Sequence, residues 1–219
     1  GQTDLTRDAC ITPIALDLDG NGIHTVSRAG SGSFFDMFGD GHAVASGWVS
    51  GGDGLLAVDR NGNGRIDDIH DLFGGTAKGA GYAQLAAYDS NHDGLVDDLD
   101  SNFGQLMIWR DANGNHQTDA GELMTLSQAG VTSLTVAHSK TMTLDAQGNV
   151  LGETSSATLA SGASVTMTDV YFNVSADDAK AAGVPLPTVA ELLSNDAELD
   201  SALGGGDAAP AATPHAAPV

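Results

Sequence analysis

Basic residues are scarce in this chain: 8 Lys plus Arg stand against 29 Asp plus Glu, a formal charge of −21. Phosphate contacts need a clustered basic face, so nucleic acid is excluded as a partner. An anionic membrane surface is disfavoured for the same reason. Glutamate is scarce too, with 4 Glu against 25 Asp. Aspartate is a poor helix former and favours turns and caps. Cys10 is the single cysteine, so no intrachain disulfide forms. With nothing nearby to activate it, it reads as a buried thiol. No apolar run approaches the ~20 residues of a spanning helix, and membrane insertion is not expected. The seven His are spread along the chain without paired metal spacing, which argues against zinc. From Gly1 there is no basic and apolar leader. The expectation is therefore no signal peptide, in a piece of something longer.

What is present is 41% hydrophobic residues in short clusters and 29 Gly. That supports one core of ordinary size, threaded by tight acidic loops. Strand signals cover 13–18, 22–26, 33–35, 43–49 and 54–58, with Trp48, Phe34 and Phe35 expected in the core. Helical spacing is read in three segments: Tyr82, Leu85, Ala86 and Tyr88; Phe103, Leu106, Met107 and Trp109; Leu123, Leu126 and Ala129. Strands return over 131–136, 141–144, 150–159 and 165–174, and Thr188 caps a final helix from Val189. The expected fold class is α+β, with short β-hairpins flanking a central EF-hand-like helix-loop-helix pair that carries several calcium loops. The expected divisions are a linker at 1–12 and a calcium module at 13–175. Within the module, 13–59 is strand-rich, 59–130 EF-like and helical, and 131–175 hairpins. A helical segment at 176–203 and a disordered Ala/Pro/Gly tail at 204–219 follow.

The acidic loops carry the chemistry. Ca²⁺ takes six to eight oxygen ligands, and an EF-type loop supplies them from positions 1, 3, 5, 7 (through its carbonyl), 9 and 12, with Gly at 6. Asp89, Asn91, Asp93, Leu95, Asp97 and Asp100 fill those places, with Gly94 at 6 and Asp rather than Glu at 12. Asp111, Asn113, Asn115, Gln117, Asp119 and Glu122 fill them again, with His116 at 6, where φ is usually positive. Val96 and Thr118 hold position 8 in these two loops, and the expectation is that they bridge as an EF pair. Asp59, Asn61, Asn63, Arg65 and Asp67 open a third loop. His70 takes its twelfth place, and Asp71, one residue on, is expected to close a longer loop. Two weaker candidates precede these. Asp17, Asp19 and Asn21 repeat the first half of the motif with no twelfth acid. Asp36, Asp40 and Asp53 form an inter-strand candidate in which Phe38 takes a ligand place. The cofactor expected is Ca²⁺, about 3–5 ions by the loop count.

Read together, these residues resemble the self-processing module of FrpC-type RTX proteins. The resemblance rests on the run 13–23, which begins Pro13-Ile14-Ala15-Leu16-Asp17-Leu18-Asp19, on Ser46-Gly47-Trp48-Val49, and on Asp53-Gly54-Leu55-Leu56 through Gly64. Leu72-Phe73-Gly74, Gly81-Tyr82, Asp89 to Gly94 and Trp109-Arg110-Asp111 continue it, so that it spans roughly residues 13 to 173. The resemblance implies a secreted or cell-surface bacterial protein whose module folds on binding Ca²⁺. Such a module cleaves an Asp-Pro bond at its own N-terminal edge. The Asp carboxylate attacks its own carbonyl, and the resulting cyclic anhydride is captured by water or a Lys amine.

This chain departs at the decisive place. Thr12 precedes Pro13, and no Asp-Pro dipeptide occurs anywhere. A Thr hydroxyl attacking its own carbonyl would have to close a strained four-membered lactone, so the nucleophile is missing. The leading expectation is a non-enzymatic calcium-folded module that contacts other domains of a larger protein or a cell-surface protein. Alternatives are an active self-processing module that uses another bond, and a calcium sensor that binds a partner helix.

Overall fold

The computed structural model describes residues 8–194. Strands dominate: β1 (Asp8–Leu16), β2 (Thr25–Val26), β3 (Phe34–Phe35), β4 (Val44–Ala45), β5 (Trp48–Val49), β6 (Gly54–Ala57), β7 (Gly74–Gly75), β8 (Leu95–Asp97), β9 (Met107–Trp109), β10 (Leu123–Thr125), β11 (Val131–Thr135), β12 (Ser139–Leu144), β13 (Val150–Leu159) and β14 (Ser164–Ser175). Helices are short: α1 (Arg28–Ser31), α2 (Ala80–Ala86), α3 (Ala176–Ala181), and 3-10 turns at Ile69–Asp71 and Phe103–Gln105. Residues 189–194 are also helical. Thr188 caps them: its backbone N–H and hydroxyl donate to Glu191, whose N–H donates back to the Thr188 hydroxyl. The tail expected at 204–219 lies outside the described residues.

The main sheet runs β10-β9-β6-β1-β14-β13-β11-β8, with β12 added against β13 and β7 against β1. Its pairs are antiparallel. β1 lies at the centre and is buried along its whole length. A strand flanked on both edges and covered on both faces needs apolar side chains at consecutive positions, which Ala9 to Leu16 largely supply. The two-residue period then sends neighbours to opposite sides. Ile11, Ala15, Leu55, Trp109 and Phe172 enter one core cluster, while Ile14, Leu16, Leu56, Ile108 and Met167 enter another. Trp48 holds the first cluster together, with ring centroids 5.3 Å from Phe35 and 5.5 Å from both Trp109 and Phe172. Phe34, expected in the core, is instead 62% exposed.

The expected α+β architecture with a central helix-loop-helix pair is not what forms. The fold is mostly β, and of the three expected helices only the Tyr82 segment becomes one, as α2. The Phe103–Trp109 segment gives a 3-10 turn and then β9, and the Leu123 segment gives β10. Apolar runs this short have no distinguishable period, so tertiary pairing decides. β9 has β6 on one side and β10 on the other, and its backbone N–H and C=O groups are satisfied there. A further shift is at the start: β1 begins at Asp8, inside the segment expected as a linker.

Pro13 sits inside this central strand without a ladder cost. The β1–β14 register pairs Ile11 with Phe172 and Ile14 with Asp169. Between them, Thr12 and Pro13 face Gly75 and Gly74 of β7. A proline tolerates a strand only where no donor is required. Gly74 is required by the same approach, because a Cβ there would run into the Thr12 carbonyl oxygen. Gly74→Ala is therefore expected to lower stability by about 1–3 kcal/mol in urea denaturation. Gly104→Ala, whose added Cβ meets nothing, serves as the near-neutral control.

Candidate functional site

Five acidic loops adopt one backbone design. The first Asp of each uses its side chain as a cap for the amides that follow, an extended Asx turn. Asp17 accepts from Gly20 N at 2.8 Å and Gly22 N at 2.8 Å. Asp36 accepts from Gly39 N and Gly41 N, both at 2.7 Å. Asp59 accepts from Gly62 N at 2.8 Å and Gly64 N at 2.7 Å. Asp89 accepts from Asp93 N at 3.1 Å and Gly94 N at 2.9 Å. Asp111 accepts from Gly114 N at 2.8 Å and His116 N at 2.9 Å. Positions 4 and 6 of every loop take positive φ. Glycine fills them except for His92 (φ 60°) and His116 (φ 59°), the two non-glycine residues with positive φ among the described residues.

Three loops also carry a closing carboxylate that grips the amides of positions 2 and 9. Glu122 accepts from Ala112 N and Asp119 N, each at 3.0 Å. Asp100 accepts from Ser90 N at 2.6 Å and Asp97 N at 2.9 Å. In the Asp59 loop the same two bonds go to Asp71, from Arg60 N at 3.2 Å and Asp67 N at 3.1 Å. Asp71 thus takes the closing place one residue later than the twelfth, and His70 stays outside. The position-7 amides of Arg65, Leu95 and Gln117 each donate to the position-5 side chain, at 2.9, 2.9 and 2.8 Å. Asn61 and Asn63 donate to Asp67, and Asn113 and Asn115 to Asp119. These amide bonds hold the Asp67 and Asp119 carboxyls below the usual range, with Arg65 adding to the effect. Backbone N–H donation, led by Asp97, does the same for Asp100.

The loop pairing differs from the expected one. Val96 bridges Leu134 of β11 rather than the Asp111 loop. Thr118 meets Ile66, the eighth residue of the Asp59 loop, whose N–H donates to the Thr118 hydroxyl at 2.9 Å. The Asp59 and Asp111 loops are therefore the neighbours, although β6 and β9 are antiparallel and lead into them from opposite ends, Ala57 lying beside Met107 and Leu55 beside Trp109. Trp48 Nε1 donates to Asp111 Oδ2 at 2.9 Å, and its ring stacks on His116 at 4.0 Å. Burial lowers the His116 pKa to about 4, so the ring is neutral.

The Asp36 loop has no closing acid, and Asp53 does not join Asp36 and Asp40. It lies with Asp17 and Asp19, one oxygen from each carboxylate falling within 4.8 Å of the others. Asp40 faces His42 at 3.4 Å.

Thr12 occupies a second environment. It is 1% exposed, and its hydroxyl donates to Asp169 Oδ1. Asp169 also accepts from Gly81 N at 3.1 Å. Glu153 and Tyr171 lie close by, with Tyr171 donating to Glu153 at 2.8 Å. Sequence reasoning missed these acids, although a lone Asp in the apolar run 165–174 is a visible signal. Cys10 is buried on the same strand, and burial pushes its thiol up to about 12.

Burial, opposed by the Thr12 hydrogen bond and assisted by Glu153, raises the Asp169 pKa from 3.8 to about 7. The folded chain then holds a proton that the unfolded chain gives up, so this group's contribution is full at low pH and is lost as pH rises through about 7. Asp169→Asn, a mimic of the neutral acid that faces Thr12, Gly81, Glu153 and Tyr171, is expected to flatten that dependence. Urea midpoints measured across the pH range check it. Glu122→Ala is expected to speed hydrogen exchange at the Ala112 and Asp119 amides, and mass spectrometry of the exchanged peptides reads it.

Comparison with known proteins places this arrangement. The family model for the SPM domain matches residues 14–173, beginning just after Thr12 and Pro13. The iron-regulated protein FrpA of Neisseria meningitidis serogroup C is 39% identical over 168 residues, which cover 73% of this chain. The matched stretch is 15% of that relative's length. The match runs from β1 to β14, a span that includes all five loops, and the chain belongs to the SPM domain family.

Proposed function

We propose that this chain is a calcium-folded module of a secreted RTX-type bacterial protein, and that it has lost backbone self-cleavage at residues 12 and 13. The observation that carries the reading is the repeated loop design: positive φ at positions 4 and 6 in all five loops, and a closing carboxylate in three. Asp59, Asn61, Asn63, Asp67 and Asp71 would hold one ion. Asp89, Asn91, Asp93, Asp97 and Asp100 would hold another, and Asp111, Asn113, Asn115, Asp119 and Glu122 a third. Oxygen-only donor sets of this kind suit Ca²⁺. The position-7 carbonyls of Arg65, Leu95 and Gln117 complete the sets.

Without metal, the clustered carboxylates repel and oppose compaction. Each ion cancels two charges and ties one loop together, so binding is coupled to folding. Extracellular modules bind Ca²⁺ at ~10⁻⁴ to 10⁻³ M. A chain of this kind stays loose in a calcium-poor cytosol and folds outside. Its partners would be further domains of its own protein or a cell-surface protein.

Loss of self-cleavage follows from residue 12. The Thr hydroxyl is one atom too short to close a five-membered ring on its own carbonyl, and here it is also engaged with Asp169.

Calcium at 1 mM, about ten times a ~10⁻⁴ M dissociation constant, stabilises by about 1.4 kcal/mol per site. Three such sites are expected to raise the melting temperature by roughly 10 °C, with a gain in ordered structure by circular dichroism. Identical spectra and melting with EDTA and with calcium would overturn the reading. Intact mass after incubation with calcium is expected to stay unchanged, and a fragment beginning at Pro13 would contradict the loss of cleavage. Thr12→Asp is expected to begin to cleave.

A further inference from the structure

We infer that Asp17, Asp19 and Asp53 form a divalent-cation site of a different kind, assembled by strand pairing between two distant segments rather than by one contiguous loop. The register forces the encounter. Leu16 of β1 pairs with Gly54 of β6, so the next residues outward, Asp17 and Asp53, leave the ladder side by side. Like charges in that position are destabilising unless something of opposite sign lies between them. Asp19 brings a third carboxylate, and one oxygen from each residue falls within 4.8 Å of the other two.

The surroundings favour a metal. Asp17 is 5% exposed and Asp53 1% exposed. Asp53 Oδ2 accepts from His24 N at 2.7 Å and lies 3.4 Å from Ser50 Oγ. Asp53 Oδ1 is buried with no hydrogen-bond partner. A buried, unpartnered carboxylate oxygen beside two more acids is costly in an empty site and well served by a hard cation. Gly52 fits the same picture, since a Cβ there would strike Asp19 Oδ2. An ion at this place would join the exits of β1 and β6. It would also reach β14, because Asp17 N donates to Thr166 O at 2.9 Å. It would therefore lock the far end of the strand that carries Thr12 and Pro13.

Geometry places the site, and only the choice of calcium as its ion rests on the calcium-folded reading. Native mass spectrometry of the calcium-loaded chain, backed by calcium calorimetry, counts the ions. Asp53→Asn and Asp19→Asn are each expected to hold one ion fewer than the wild type. Asp19 is exposed, so its variant tests the site without disturbing the core. Asp89→Asn should lose a different ion, and Asp53→Asn combined with Asp89→Asn should lose two. If Asp53→Asn and Asp19→Asn keep the wild-type count while Asp89→Asn loses one, this site is overturned and the calcium-folded reading stands. A wild type that binds no ion overturns both.

Discussion

Most carboxylates of this chain must be satisfied by backbone N–H groups, because basic side chains are too few. That constraint organises the molecule. A single Asp capping the amides of three successive loop residues fixes the loop tightly, and glycine or histidine at positive φ lets those amides converge. In the three closed loops, carboxylate or carboxamide groups at positions 3, 5 and 9 and the closing acid stand around the capping Asp. Each of these three loops thus gathers oxygen atoms around one tightly turned backbone.

The sheet supplies what the loops cannot. β1, buried on both faces, draws β6, β7 and β14 around itself, and the strands that pair with it set where the loops stand. The Asp59 and Asp111 loops meet through Ile66 and Thr118, the Asp59 loop turning back along the antiparallel pair β6 and β9 to reach its neighbour. Trp48 connects this polar layer to the core, with its ring in the aromatic cluster and its Nε1 on Asp111. Order in the Asp111 loop is therefore coupled to packing of the largest side chains in the core.

Residue 12 is fixed by strand pairing and by a buried hydrogen bond at once. The strand, the two glycines of β7 and the buried Asp169 hold Thr12 and Pro13 firmly. Only the chemistry of the residue-12 side chain sets the ring size open to it.

The loops were legible in the sequence because they are local. Spacing of Asp, Asn and Gly over twelve residues dictates an Asx turn and its closing acid, and even the late closure by Asp71 could be read from Asp59 onward. The resemblance carried by Pro13 to Gly64 and by Trp109 to Asp111 was legible for the same reason. Strands with long alternating or continuous apolar runs, such as 150–159 and 165–174, were visible as well. What the sequence could not determine was everything set by pairing at a distance. The segments around Trp109 and Leu123 became strands because β6 offered an edge, not because of their own period. The meeting of Asp53 with Asp17, and of Asp169 with Thr12, depends on register between strands far apart in the chain. Such encounters leave no local pattern, and only the folded sheet decides them.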